Sequence, residues 1–228
     1  MIEIANVAAV LTDIEGTTSS MSFVRELLFP YARRSLPAYV HAHQRQLAGI
    51  ATDMAAAVGR QRLTAQQLIE LALRWMDEDR KSTPLKALQG LIWQAGYESG
   101  ELQGHVYEDA VRALRRWNHD GLHIHIYSSG SVQAQQLLFS HTAYGDLTPL
   151  LSGYFDTVNG PKLQSDSYQS IARRLGLAAG SVVFLSDHAG ELAAAAAAGM
   201  RTVLVAREPA PEPAGAFARS LDDITLRG

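Results

Sequence analysis

The chain has 228 residues, of which 47% are hydrophobic and 19% charged, with a net charge of −3 at pH 7. This composition is typical of a folded globular protein and excludes an intrinsically disordered chain. The 20 basic and 23 acidic residues give no basic surface for nucleic acid or an anionic membrane. The absence of cysteine excludes disulfides, thiolate metal sites and a cysteine nucleophile.

The chain shows no membrane or export signal. No stretch reaches the roughly 18 apolar residues of a membrane-spanning helix. The N-terminal segment MIEIANVAAVLTDIEG contains early acidic residues and no basic leader, unlike a signal peptide. These features predict a cytoplasmic enzyme without a membrane segment.

The first predicted element is a buried strand over residues 7–12, followed by a turn that closes at Gly16. Helical periodicity then extends over residues 23–118. Pro30 is predicted to kink or end the first helix of this run. Two further helices are predicted over residues 64–77, with Thr64 as the N-cap, and over residues 83–94.

Strand patterns return after residue 118. Three strands are predicted over residues 122–130, 182–187 and 202–207, and helices over residues 131–140, 166–175 and 190–198. Alternating strands and helices favour right-handed βαβ units and a parallel sheet. The predicted fold is therefore α/β, a doubly wound parallel sheet formed by residues 1–22 and 119–228, interrupted by a helical insertion over 23–118. Residues 208–217 are predicted to be a proline- and alanine-rich linker.

Polar residues follow several predicted strands. They are Asp13 and Glu15 after the first strand, Ser128 and Ser129 after the second, Asp187 after a later one, and Lys162 in a loop between them. Ligands of doubly wound sheets bind at the carboxyl ends of the strands. Converging carboxylates would repel each other without a cation, and a set of oxygen ligands favours Mg²⁺ over Zn²⁺. A lysine and two hydroxyls beside that ion would suit a phosphate group.

His123 and His125 alternate on a predicted strand and therefore share a face. With no third ligand nearby in sequence, a partly exposed strand face is favoured over a metal-binding pair.

These residues resemble the four motifs of the haloacid dehalogenase superfamily of phosphotransferases. The similarity rests on DIEGTT at 13–18, Ser128, Lys162, and Ser186 and Asp187 with Glu191. Glu15 departs from the aspartate that is usual at the second acidic position. A glutamate at this position is similar to the pattern of one branch of the superfamily. Longer segments that include the insertion, such as RKSTPLKALQGLIWQAGYESGELQGHVYEDA, also resemble that branch, so the similarity covers nearly the whole chain.

The resemblance implies a fold, a reaction and catalytic roles. The insertion would be a helical cap. The substrate would be the phosphorylated diketone 2,3-diketo-5-methylthiopentyl-1-phosphate of methionine salvage, enolised and then dephosphorylated to acireductone and phosphate. Asp13 would be the nucleophile, forming an aspartyl phosphate. Glu15 would act as general acid and base, and Lys162 would neutralise the phosphoryl charge.

The resemblance also implies a ligand set. One Mg²⁺ per subunit would be held by the Asp13 carboxylate, by residue 15 through its main-chain carbonyl, and by Asp187. Ser128 and Ser129 would hydrogen-bond the phosphate or the carbonyl-bearing part of the substrate. The expected assembly is a monomer. The roles of His188 and Glu191 and the identity of the enolisation base are left open.

Three other functions share part of this pattern. A phosphatase of the same superfamily with another small phosphate ester as substrate would carry the same motifs, because a fold does not fix the substrate. A phospho-acceptor signalling module also places aspartate and lysine around Mg²⁺, but such compact modules lack a long helical insertion. A dehalogenase would need neither Mg²⁺ nor an acid at position 15, which Glu15 and Asp187 disfavour.

Overall fold

The structure is a computed structural model that describes residues 1–80, 82–207 and 217–228. The chain divides into two compact units, one formed by Met1–Met21 with Gln103–Gly228 and the other by Ser22–Leu102. The predicted linker 208–217 lies outside the described residues except for Phe217. Within the described ranges, every helix is too short or too polar to cross a lipid bilayer.

Eight strands and eight helices form the described structure. The strands, all in the first unit, are β1 (Ile2–Ile4), β2 (Ala9–Thr12), β3 (His123–Tyr127), β4 (Gly153–Phe155), β5 (Val182–Ser186), β6 (Arg201–Val205), β7 (Phe217–Ala218) and β8 (Ile224–Leu226). The helices are α1 (Phe29–Ala42), α2 (Ala48–Ala56), α3 (Ala65–Asp77) and α4 (Thr83–Glu98) in the second unit, and α5 (Glu108–His119), α6 (Val132–Ser140), α7 (Ser165–Leu175) and α8 (Ala189–Ala197) in the first.

Six strands form one parallel sheet in the order β4-β3-β2-β5-β6-β7, and β1 pairs in parallel with β8 separately. Thr12 at the end of β2 pairs with Ile126 of β3 on one side and Leu185 of β5 on the other. The prediction of a doubly wound parallel sheet is confirmed. The strand order reverses across β2, which is where ligands bind in such sheets.

Both faces of the sheet are buried. On one face Leu11, Tyr127 and Phe184 belong to a cluster with residues of α7 and α8. Val10 and Ile124, which alternate to the other face, are also fully buried. Burial on both faces explains the nearly continuous apolar strand sequences.

Helix α5 sets a boundary that differs from the predicted one. The insertion was expected to span residues 23–118, whereas the helical unit is Ser22–Leu102 and residues 103–118 lie with the first unit. The physical reason is the amphipathic α5 sequence. Its apolar stripe, which includes Leu114 and Trp117, is fully buried, and the helix packs against β3.

The helical unit begins with a π-helical segment, Phe23–Leu28, that continues into α1. Pro30 does not end this run, because it lies in the first turn of α1 and the helix continues to Ala42. The predicted N-cap at Thr64 is confirmed. Its hydroxyl accepts from the Gln67 N–H at 3.2 Å, and the Gln67 side chain accepts from the Thr64 N–H at 3.0 Å.

Candidate active site

The carboxyl end of β2 continues directly into a buried turn that carries Asp13. The Asp13 N–H donates to the Leu185 carbonyl at 2.9 Å, so this residue still belongs to the sheet. The Thr18 hydroxyl donates to the Asp13 carbonyl at 3.1 Å and closes the turn. Asp13 is only 3% exposed, so its carboxylate is fixed and largely shielded from water.

Gly16 brings the end of β5 against this turn. It has a φ of +77°, and a β-carbon at this position would overlap the Asp187 carboxylate. The Asp187 N–H also donates to the Thr17 hydroxyl at 3.0 Å. Two of the predicted strand ends are therefore joined by direct contacts, and only glycine allows the close approach.

Lys162 lies between two carboxylates. Its Nζ atom is 2.6 Å from Oδ1 of Asp13 and 2.7 Å from Oε2 of Glu191. The Ser186 hydroxyl donates to the same Glu191 oxygen at 3.0 Å. Glu191, whose role the sequence left open, therefore contacts the lysine at the centre of the site.

The loop that carries Lys162 is held by two tyrosines and a glycine. The Tyr127 hydroxyl donates to the Gly160 carbonyl at 2.8 Å, and the Tyr168 hydroxyl donates to the Lys162 carbonyl at 2.7 Å. Gly160 has a φ of +124°, and a β-carbon there would overlap the Ser167 hydroxyl. These contacts make the lysine part of a packed structure, and it is only 9% exposed.

Charge and burial shift the pKa values of the groups in this site. Burial raises the pKa of Asp13 to about 7, against the opposing effect of the Lys162 ammonium. Burial also raises the pKa of Glu15. Burial alone would lower the pKa of Lys162, but the Asp13 and Glu191 carboxylates raise it, so the lysine stays charged. A raised pKa favours the protonated form of a carboxyl group, which is the form that a general acid requires.

Ser128 and Ser129 follow β3 on the same edge of the sheet. Ser128 is 1% exposed, and its hydroxyl accepts from the Gly130 N–H at 3.1 Å. Ser129 is exposed. The two serines therefore form a tight turn beside the strand that leads to Asp13, one facing inward and one facing outward.

The predicted magnesium ligands fit a hard cation by charge and by donor chemistry. The Lys162 ammonium lowers the pKa values of Asp13, Glu15 and Asp187, and the Glu191 carboxylate raises all three. This excess of negative oxygens favours a bound divalent cation. Among the described residues, however, no group of three histidine, aspartate or glutamate side chains is placed to hold a metal. The fit therefore depends on the main-chain carbonyl of residue 15, which the resemblance implies as a ligand.

His123 and His125 differ in their exposure to solvent. His123 is exposed, whereas His125 is buried, with 8% exposure, so their shared face is only partly open to solvent. The described residues bring no third metal-binding side chain to them.

A second buried network, which the sequence did not indicate, supports the turn after Asp13. Nε of Arg207 donates to the Thr17 carbonyl at 2.7 Å, and Nη1 lies 3.1 Å from the Asp109 carboxylate. Asp109 also accepts from the Leu221 N–H at 2.7 Å and the Ser220 hydroxyl at 2.8 Å. Only long-range packing brings these residues together, so no local sequence signal could have found them.

The chain is similar in sequence and fold to known proteins. Residues 7–199 match the family model of haloacid dehalogenase-like hydrolases. An enolase-phosphatase E1 from Pseudomonas aeruginosa (strain UCBPP-PA14) is 53% identical over 204 residues, which covers 89% of this chain and 91% of that protein. One from Thioalkalivibrio sulfidiphilus is 54% identical over 200 residues, covering 87% and 89%. The crystal structure of the UTR4 protein from Saccharomyces cerevisiae superposes with a TM-score of 0.82 at 36% identity, covering 94% of this chain and 98% of that one.

Proposed function

The chain belongs to the haloacid dehalogenase-like hydrolases and, with its curated relatives, to the enolase-phosphatases E1, and on this premise we propose roles for its residues. It is a phosphatase, and we assign to it the conversion of 2,3-diketo-5-methylthiopentyl-1-phosphate to acireductone and phosphate. The observation that carries the assignment of residues is the buried pair of Asp13 and Lys162, 2.6 Å apart at the point where the strand order reverses.

The first reaction is enolisation. The carbon that bears the phosphate is adjacent to a ketone, so its protons are acidic. A base removes one of them, and the neighbouring carbonyl oxygen gains a proton to give the enol. Glu15, whose pKa burial raises, is one candidate for this base. Ser128 presents a hydroxyl that can donate to the carbonyl oxygen or to the phosphate.

The second reaction is phosphoryl transfer. A carboxylate oxygen of Asp13 attacks phosphorus, and the bond from phosphorus to the enol oxygen breaks. Glu15 donates a proton to the departing oxygen, and the aspartyl phosphate remains. Glu15 then takes a proton from water as that water attacks the intermediate, which releases phosphate and restores Asp13. Lys162 stabilises the negative charge on the phosphoryl oxygens throughout.

Mg²⁺ is the proposed cofactor, one per subunit. The Asp13 carboxylate, the main-chain carbonyl of Glu15 and the Asp187 carboxylate would hold it. When bound, it would neutralise charge on the phosphoryl group and polarise the substrate oxygens. The contact between Gly16 and Asp187 supports this set, because it keeps the Asp187 carboxylate beside the loop that carries the other two ligands.

The partner of this site is the small phosphorylated diketone. The sequence offers no basic surface for nucleic acid and no membrane segment. A monomer in the cytoplasm stays a prediction, and sedimentation analysis of the purified protein would test its assembly.

The test follows the hydrogens of the carbon that bears the phosphate. Substrate with two deuterium atoms on that carbon is converted in the presence of Mg²⁺, and the product is analysed by mass spectrometry. We expect one deuterium to be lost, acireductone to form, and turnover to stop on chelation of the metal. Phosphate release with both deuterium atoms retained would contradict the enolisation and leave only the phosphatase activity. Full activity in excess chelator would contradict the metal assignment.

A further inference from the structure

Gln135 makes two bonds that the proposed chemistry does not use. This residue lies near the start of α6 and is only 1% exposed. Its side-chain Nε2 donates to the carbonyl of Gly130 at 2.9 Å and to the carbonyl of Phe155 at 2.9 Å. The first carbonyl belongs to the serine turn after β3, and the second belongs to the end of β4.

The turn that Gln135 holds has a defined internal geometry. The Ser128 N–H donates to the Phe155 carbonyl at 3.2 Å, so this carbonyl accepts from both Ser128 and Gln135. The Ser128 hydroxyl accepts from the Gly130 N–H at 3.1 Å. Because this hydroxyl oxygen already accepts that bond, its own hydrogen is available to donate to another acceptor, such as a phosphate oxygen.

We propose that Gln135 is a positioning residue that fixes the phosphate-binding turn at residues 128–130. It ties that turn to the end of β4, from which the chain continues to Lys162. One buried amide thus sets the distance between two segments that both face the phosphoryl group. The inference rests on the proposed function, because it assigns the turn to phosphate.

The buried amide of Gln135 has a free-energy cost that an apolar side chain of similar size would not have. Its Oε1 is buried and has no hydrogen-bond partner among the described residues. Reversing the amide would place an oxygen against two carbonyl oxygens, so the observed orientation is the one that the two carbonyls require. A methionine would fill a similar volume without a buried unpaired acceptor, so the benefit of glutamine must lie in its two donated bonds.

The experiment measures binding of orthovanadate, a mimic of the phosphoryl group in transfer, by calorimetry in the presence of Mg²⁺. We compare the wild type with Gln135→Met and with the matched control Gln136→Met. Gln136 is the next residue of α6 and is exposed. All measurements are made well below the melting temperature of each variant, so that only folded protein is compared.

We expect Gln135→Met to bind orthovanadate at least about tenfold more weakly than the wild type and to have a lower kcat. Gln136→Met should match the wild type in both measurements. A lower melting temperature with unchanged vanadate affinity would show a purely structural role and overturn the inference. If Gln135→Met does not fold, Gln135→Asn replaces it, because the shorter amide cannot reach both carbonyls. Wild-type affinity for vanadate in Gln135→Asn would also overturn the inference. Failure of the wild type to bind vanadate would instead contradict the proposed function.

Discussion

The ammonium nitrogen of Lys162 lies 2.6 Å from Oδ1 of Asp13, although the two residues are 149 positions apart in the sequence. Asp13 directly follows β2, and Lys162 lies in the loop after β4. Strand β4 is separated from β2 in the sheet by β3. The lysine loop must therefore pass along the edge of the sheet to reach the aspartate. The tyrosine bonds to Gly160 and Lys162 hold it there.

Lys162→Met should lower kcat/KM by roughly 100- to 1,000-fold, because it removes the cation that neutralises the phosphoryl group. Lys162 also lowers the pKa values of Asp13 and Glu15. Their loss of a proton should therefore move to higher pH in the variant. Steady-state kinetics between pH 5 and 9 measure both effects. Lys86→Met, a lysine substitution in α4, should behave as the wild type, and an unchanged pH profile in Lys162→Met would contradict the assignment.

Asp13→Asn should abolish phosphate release, because an amide does not attack phosphorus. In the wild type, a single turnover in ¹⁸O-labelled water should place the label in the released phosphate when water attacks the phosphorus of the aspartyl phosphate, and on the Asp13 carboxylate only when water attacks its acyl carbon. Repeated turnovers and peptide mass spectrometry would report label at residue 13 if attack on the acyl carbon contributes. Trapping of a phosphorylated peptide that contains Asp13, by acid quench during turnover, is the direct test, and its absence at every quench time would oppose the covalent route.

Gly16→Ala should weaken Mg²⁺ binding and activity, because the new methyl group would displace the Asp187 carboxylate. The positive φ adds a backbone cost of about 1 kcal/mol for a non-glycine residue. Gly121→Ala separates the two effects. Gly121 has a similar φ of +80° and nothing within 4 Å of its added β-carbon. Both variants should lose stability in urea unfolding, but only Gly16→Ala should lose Mg²⁺ affinity. Equal Mg²⁺ affinity in both would show that the contact with Asp187 is unimportant.

Asp109→Ala should reduce the free energy of unfolding by roughly 3 kcal/mol, because it leaves the buried Arg207 guanidinium without its carboxylate. Its hydrogen bonds and Arg207 hold the pKa of Asp109 below its ordinary value against the effect of burial. The contribution of Asp109 to the free energy of unfolding should therefore persist above pH 4 and disappear at lower pH. Asp222→Ala breaks the exposed pair with Arg112 and should have a much smaller effect. Urea unfolding at pH 7 compares the two, and equal losses would contradict the buried network.

His125 should make the protein less stable in mild acid. Burial lowers its pKa from 6.5 to about 4. Between these values the unfolded chain binds more protons than the folded protein, so the free energy of unfolding falls as pH decreases. His125→Gln should flatten this slope relative to the wild type in urea unfolding from pH 7 to 4. His123→Gln, at the exposed end of the same strand, should keep the wild-type slope, and a wild-type slope in His125→Gln would refute the prediction.

The sequence predicted the features that depend on local pattern. Apolar runs located the four longest strands of the sheet, and the ends of these runs located Asp13 and Asp187. Thr64 was identifiable as a cap because threonine before a helical pattern is typical of an N-cap. The resemblance, rather than periodicity, supplied the role of Lys162.

Features that depend on distant contacts were not predictable. Strands β1 and β8 have three residues each and are stable only because they pair with each other. Arg207 gives no local sign that it donates to Thr17, and Gln135 resembles any polar residue of a helix. The predicted end of the helical insertion at residue 118 was wrong for the same reason, because the helical pattern of α5 is the same whichever unit buries it.

The position of β2 between β3 and β5 has a consequence for synthesis of the chain. Of the six strands in the large sheet, β2 leaves the ribosome first, but its partner β3 follows only after the whole helical unit, and β5 later still. At translation rates of ~5–20 residues per second, the strand that carries Asp13 stays unpaired on one or both edges for on the order of ten seconds. An apolar strand with open edges is prone to aggregation. The nascent chain should therefore be most dependent on chaperones before residue 186, the end of β5, has been added. Ribosome-stalled chains that end before residue 186 should accordingly be more sensitive to protease than longer ones.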